Sequence, residues 1–144
     1  AYQVILIYPN ADAGGRRMIK IIKHYKKYNF IRAYKNLDHL DYLSLMKVAD
    51  ALVGNSSSGM IETASFGLPV VNIGVRQEGR ERGENVIDVP HKKEAIKRAI
   101  KKALKKSRRR YKNLYGQGVA GEKIAKILEQ IKIDKNLFQK KITY

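Results

Sequence analysis

The segment Gly54-Asn55-Ser56-Ser57-Ser58-Gly59 combines two things that anion chemistry needs: small residues, which let backbone N–H groups approach a phosphate closely, and three hydroxyl donors. It lies between an apolar run, Ala51 to Val53, that reads as a strand and a segment from about Met60 to Phe66 that reads as a helix. At such a junction the helix dipole adds a preference for negative charge. Ser56 and Ser57 are therefore candidate partners of a phosphate or diphosphate. The alternative is that Asn55 and the serines only cap the helix and close a turn. The loop has neither the Gly-x-x-x-x-Gly-Lys of a P-loop nor the glycine spacing of a dinucleotide fingerprint, so neither ATP hydrolysis nor nicotinamide binding is supported.

Glu62 follows one turn into the helix. A carboxylate there can accept from the vicinal hydroxyls of a ribose beside a phosphate site, or it can simply complement the helix dipole. Two further loops hold polar candidates. Tyr8 to Gly15 carries Asn10 and Asp12, which either orient a ligand hydroxyl or build an Asx turn. Gly74 to Glu84 has eleven residues with three Arg and three Gly, long for an α/β connection. Its Arg76 directly follows an apolar run, and a guanidinium there could clamp a phosphate in bidentate fashion or close over a nucleotide. Arg80 and Arg82 read as solvated or interface charges.

The elements that must position these loops alternate along the chain. Val4 to Tyr8 reads as a strand, Met18, Ile19, Ile22 and Tyr25 recur at helical spacing, Phe30 to Tyr34 is a second strand and Tyr42 to Ala49 a short helix. After the third strand and the serine loop, Gly67 is placed to end a helix and Pro69 to prevent its continuation. Pro69 to Ile73 and Val86 to Val89 complete the strands, the former apolar enough for burial on both faces of a parallel sheet, the latter at its edge. Two apolar stripes follow, Ala95, Ile96, Ala99, Ile100, Ala103 and Leu104, then Ile124, Ile127, Leu128 and Ile131. The alternation predicts an α/β fold, a doubly wound parallel sheet, in one domain spanning residues 1–144. In such sheets ligands bind beyond the carboxyl ends of the strands, where the three loops lie.

Composition narrows the chemistry. The 144 residues contain no cysteine, which removes disulfides, thiol catalysis and cysteine zinc sites. His24, His39 and His91 have no pairing at helical spacing, so no metal site is expected. No apolar run approaches the roughly 20 residues of a membrane helix, and no signal sequence opens the chain, so the expected location is cytoplasmic, without a membrane partner. The opening Ala1-Tyr2-Gln3-Val4, straight into a strand without Met, reads as a piece of a longer chain. A formal charge of +17 permits phosphates, nucleic acid or anionic lipid without choosing among them. Twelve of the 30 Lys and Arg fall between Lys92 and Lys112, read as one basic amphipathic helix. Its apolar stripe is built to pack on the sheet and few aromatics interleave with its cations, so nucleic-acid binding is expected to be at most nonspecific.

Taken in order, Tyr8 to Gly14, Val53 to Glu62, Phe66 to Gly74 and Arg76 to Val86, with Tyr115-Gly116-Gln117-Gly118 beyond, resemble the UDP-N-acetylglucosamine 2-epimerase family. The Asn-Ser-Ser-x-Gly form of the loop, together with Arg-Gln-x-Gly-Arg, is similar to the hydrolysing members of sialic-acid synthesis rather than to the non-hydrolysing ones. The resemblance implies a Rossmann-like domain, the C-terminal half of a glycosyltransferase-B type two-domain fold with UDP in the cleft, residues 133–144 being a C-terminal extension. It implies that Ser56 and Ser57 contact the diphosphate, Glu62 the ribose hydroxyls and Arg76 the nucleotide, with Asn10 a further ligand-side candidate and Tyr42 one for packing near uracil. It implies the ligands UDP-N-acetylglucosamine or UDP, no metal or redox cofactor, and a homo-oligomer when complete. The family's acid/base residues would lie in an N-terminal half upstream of position 1, leaving no catalytic residue in this chain. The implied reaction eliminates UDP and adds water to yield N-acetylmannosamine. A non-hydrolysing epimerase of the same family and a glycosyltransferase C-terminal half, which shares the fold, stay alternatives; the Arg76 loop favours the hydrolysing epimerase.

Overall fold

Strand Val4–Ile7 (β1) and strand Ile31–Tyr34 (β2) pair in parallel, Val4 opposite Ile31 and Ile7 opposite Tyr34. A parallel pair needs a crossover, which helix α1, Gly15–Tyr25, supplies; α1 lies against β2 with Ile19 and Ile22 half-buried. Helix α2, His39–Val48, follows, and Asp38 caps it by accepting from the Leu40 backbone N–H at 3.0 Å. These elements make up the first of two compact units, Ala1–Ala49; the second is Asp50–Tyr144. The structure, a computed structural model, describes residues 2–10, 13–106, 108–116 and 118–139, so the expectations for Asp12 and Gln117 lie outside the described residues.

In the second unit, strands Leu52–Gly54 (β3), Val70–Ile73 (β4) and Val86–Val89 (β5) form a parallel sheet in the order β3-β4-β5. Leu52 stands opposite Val70, and Val70 opposite Val86. The strands are parallel in both units, as expected, but they form two sheets rather than one, and β4 connects to β5 through a loop without a helix. The central strand is buried along nearly its whole length, as its apolar run predicts, but Asn72 interrupts the run and is itself 1% exposed. Helix α4, Lys93–Lys105, lies against β4 and β5 and sets Ala99 and Ala103 into a core with Val71, flanked by Ile73, Ile87 and Ile100. Alanine at the contact positions lets a cation-rich helix approach the sheet while its lysines remain in water.

The expected helix from Met60 to Phe66 begins earlier and breaks: helix α3 is Ser58–Ile61, and Thr63–Phe66 is a 3-10 turn. Gly59 explains the early start, since a Cβ there would sit 3.1 Å from Val70 Cγ1 and 3.2 Å from Leu52 Cδ2. A side chain at position 59 would require Val70 and Leu52 to shift by a few tenths of an ångström. The Thr63 hydroxyl donates to the Gly59 carbonyl at 2.7 Å, and buried Asn85 donates to Thr63 Oγ1 and the Leu68 carbonyl, each at 2.9 Å. Gly67 ends the turn at φ 64°, as expected of a C-cap.

The basic helix expected over Lys92 to Lys112 ends at Lys105, and described residues 108–113 are irregular. Beyond Leu104 no apolar side chain recurs at helical spacing until Tyr111, and closely spaced cations would repel along a helix. Instead Tyr111 is buried with the Arg109 guanidinium 5.0 Å from its ring centroid, and Asn113 donates to the Ile61 carbonyl at 3.0 Å and to Ser65 Oγ at 2.7 Å. Helix α5, Ala120–Gln130, bears the second stripe, but Ile124, Ile127 and Leu128 are exposed rather than packed. A short helix α6, Lys135–Phe138, lies in the extension. No helix among the described residues is long and apolar enough to cross a membrane.

A Cβ at position 67 would lie 2.5 Å from the Arg109 carbonyl oxygen in a left-handed conformation that already costs about 1–2 kcal/mol for alanine. Gly67→Ala is therefore expected to lower the unfolding free energy by at least about 2 kcal/mol. Urea unfolding checks this; a change under about 0.5 kcal/mol would contradict both the left-handed cost and the clash with the Arg109 carbonyl.

Candidate functional site

The serine loop leaves the carboxyl end of β3 and enters α3. Ser57 occupies the N-cap position, yet its side chain makes no capping bond, so the simple capping role is not what the loop does. The Ser58 hydroxyl donates to Ser56 Oγ at 3.0 Å, which leaves the Ser56 proton available for another acceptor. With only four residues in α3, peptide dipoles add over a single turn. Attraction of an anion here must come chiefly from hydroxyls, backbone N–H groups and neighbouring cations.

Those cations arrive from the loop after β4. Arg76 donates through NH1 to the Asn55 carbonyl at 3.0 Å, and Gln77 donates through Nε2 to the same oxygen at 2.8 Å. Asn55 directly precedes Ser56, so the arginine loop is fastened to the serine loop at the residue next to the candidate anion partners. Gln77 is 2% exposed, whereas Arg76 is exposed.

The rest of this long connection is fastened as well. Arg82, expected to be a solvated or interface charge, is partly solvated and also bonded: it donates through NH2 to the Gln77 carbonyl at 2.8 Å, through Nε to the Arg80 carbonyl at 3.2 Å and through NH1 to Asp88 Oδ1 at 2.6 Å. Asp88 Oδ1 also accepts from Asn72 Nδ2 at 2.7 Å. Farther along, the Tyr115 hydroxyl donates to the Glu81 carbonyl at 2.8 Å, and Glu84 pairs with Arg109 at 2.8 Å. Arg80 is exposed, in line with its expected role. A loop held at this many points is a strut, and the notion that it closes over a ligand finds no support in its bonding.

Glu62 falls at the C-cap of α3, its backbone N–H donating to the Ser58 carbonyl at 3.0 Å. That is the negative end of the helix, so its carboxylate does not complement the dipole. One carboxylate oxygen, Oε2, is buried without a hydrogen-bond partner, an acceptor suited to a ligand hydroxyl. Of the candidates from sequence, Ser56, Ser57, Glu62 and Arg76 belong to the second unit: Ser56, Ser57 and Arg76 on two loops joined at Asn55, and Glu62 at the far end of α3. Asn10, just past β1, and Tyr42, half-buried in α2, belong to the first unit. Among the described residues no group of three or more His, Asp or Glu is arranged to hold a metal. Sequence reasoning passed over Asn72, Gln77 and the pairing of Arg82. The available signal was an amide inside a strand otherwise buried on both faces, which must find partners.

The chain matches the model of the family described as UDP-N-acetylglucosamine 2-epimerase over residues 1–129. It is 38% identical over 138 residues to a UDP-N,N'-diacetylbacillosamine 2-epimerase (hydrolyzing) of Legionella pneumophila, covering 96% of this chain and 37% of that protein. It is 47% identical over 81 residues to a GDP/UDP-N,N'-diacetylbacillosamine 2-epimerase (hydrolyzing) of Campylobacter jejuni, covering 55% of this chain and 21% of that one. The chain therefore spans well under half the length of these relatives. Its fold is similar, at a TM-score of 0.70 and 24% identity, to that of a Methanocaldococcus jannaschii UDP-GlcNAc 2-epimerase in complex with UDP-GlcNAc and UDP, across 88% of this chain and 35% of that one.

Asp88 is a sharp test of the bonding described above. As a surface ion pair its contact with Arg82 is worth at most about 1 kcal/mol, both side chains being partly solvated at 28% and 48% exposure. Losing the acceptor of buried Asn72 Nδ2 costs about 1–3 kcal/mol and so dominates. Asp88→Ala is expected to destabilise the chain by about 2 kcal/mol, and Asn72→Val added to it should recover most of that loss. Additive losses in the double variant, measured by urea unfolding, would show that the two side chains act independently.

Proposed function

We propose that this chain, which belongs to the UDP-N-acetylglucosamine 2-epimerase family, holds the nucleotide of a UDP-linked amino sugar on the surface made by Ser56, Ser57, Glu62 and Arg76. The observation that carries the proposal is the pair of bonds from Arg76 and Gln77 to the Asn55 carbonyl, which sets a guanidinium beside a hydroxyl-rich turn. Diphosphate charge suits the Ser56 and Ser57 donors and Arg76. The partnerless Glu62 Oε2 suits a ribose hydroxyl, which brings a donor and no charge. Asn10 and Tyr42, in the first unit, stay candidates from the resemblance and are not assigned to this surface.

Within a complete enzyme this surface would serve elimination of UDP across C1 and C2 of the sugar: a base takes the C2 proton, the C1–O bond breaks and UDP departs with the electron pair. Water then adds to the unsaturated sugar, giving N-acetylmannosamine when the sugar is N-acetylglucosamine. The proton transfers are assigned to none of the residues on this surface. The part played here is to hold diphosphate oxygens with fixed donors as negative charge grows on the leaving group, stabilisation that preorganised dipoles supply without reorganising. Hydrolysis rather than simple epimerisation is favoured by the Arg76-Gln77 loop and by the hydrolysing relatives at 38% and 47% identity. Those relatives' diacetylated sugar is an equally good candidate, because none of the proposed contacts touches the sugar's substituents.

Discrimination between UDP and 2′-deoxy-UDP separates the role of Glu62 from general attraction to anions. The wild-type chain is expected to bind UDP about tenfold more tightly, the ~1.4 kcal/mol typical of a hydrogen bond to a charged acceptor. Glu62→Ala should erase the preference, and Arg76→Ala should weaken both ligands alike. Calorimetric titration decides it: a preference that survives Glu62→Ala removes that residue from the site.

A further inference from the structure

We propose that Gln77 is a positioning residue, whose buried carboxamide holds the Asn55 carbonyl and thereby sets the conformation of the serine loop when Arg76 turns toward a ligand phosphate. The Arg76 part of this rests on the nucleotide reading above; the Gln77 part rests on geometry alone.

Two donors share one acceptor at Asn55, and they differ in kind. Arg76 is exposed and charged, so its contact with a neutral carbonyl is in competition with any anion that arrives, and a charged acceptor is the stronger partner. Gln77 has no such alternative. At 2% exposure its amide nitrogen lies 2.8 Å from the Asn55 oxygen, and a buried neutral donor is not drawn off by a solvent-borne phosphate. Its backbone is also held, since Arg82 NH2 donates to the Gln77 carbonyl and is itself fixed on Asp88, which binds Asn72 in the central strand. Asn55 is thus tied to the sheet through Gln77, Arg82, Asp88 and Asn72 whatever Arg76 does. The fold tolerates an orphan for this: Gln77 Oε1 is buried with no partner, a cost that an apolar side chain of the same size would not carry.

Gln77→Met keeps the volume, removes the donor and removes the orphan acceptor. Three readouts on the chain distinguish positioning from structural support: thermal midpoint, backbone order parameters of Asn55 to Ser57, and UDP affinity. The midpoint is expected to stay near that of the wild type. The order parameters should fall from about 0.85 toward 0.6, and UDP affinity should fall about tenfold. Arg76→Ala should lose affinity while its order parameters stay at the wild-type level, because Gln77 still holds the loop. Arg82→Met, a second route to the same strut, should lower the order parameters by less. Wild-type order and affinity in Gln77→Met, or loop disorder in Arg76→Ala, would overturn the proposal. A wild-type chain that ignores UDP would count against the nucleotide reading only, since the order parameters still decide the role of Gln77.

Discussion

The Asn55 carbonyl accepts from Arg76 at 3.0 Å and from Gln77 at 2.8 Å, side chains 21 and 22 residues further along the chain. A backbone carbonyl at the end of a strand would ordinarily be left to water or to a turn. Here it is the point where two crossovers of one sheet are tied together, and the serines beside it take their positions from that tie. The remainder of the second unit serves the same arrangement. Gly59 brings the turn against β3 and β4, Asn85 pins the 3-10 turn, and Asn113 holds the Ile61 carbonyl from the other side.

The bonds in this arrangement are unequal. Ion pairs such as Arg109 with Glu84 and Lys97 with Glu94 lie at exposed positions and add little. The amides of Asn72, Gln77 and Asn85 are nearly fully buried, each donating through nitrogen while its oxygen stays without a partner. Removing such a donor's partner is costly because burial denies it water. Of these amides Gln77 alone bonds beside the serine loop, and an unsatisfied oxygen there is a local sacrifice of stability of the kind found where geometry is held for a ligand.

Strand and helix order was legible because hydrophobic period and turn residues act locally: Gly67 and Pro69 end a helix, and Val70 and Val71 sit buried as their neighbours imply. The serine loop, Glu62 and Arg76 could be singled out because their types at a strand end are chemically unusual. The helix boundaries failed where tertiary contacts decide. Gly59, poor in helices, is helical where the turn packs closely on Val70 and Leu52, and the cation run after Lys105 leaves the helix while Tyr111 is buried. The pairing of Arg82 was not legible for a related reason, since its partner Asp88 is six residues away across a loop whose path no local pattern fixes. Tyr42 had only its place in a resemblance to recommend it, whereas Asn10 also stood in a loop at the end of a strand.

The most direct test of the central claim is a crystal structure of this chain grown with UDP. The account predicts diphosphate oxygens within hydrogen-bonding distance of Ser56, Ser57 and the Arg76 guanidinium, a ribose hydroxyl on Glu62, and the Gln77 bond to Asn55 intact. Well-ordered UDP lying instead along the lysines of α4, with the serine loop empty, would contradict it.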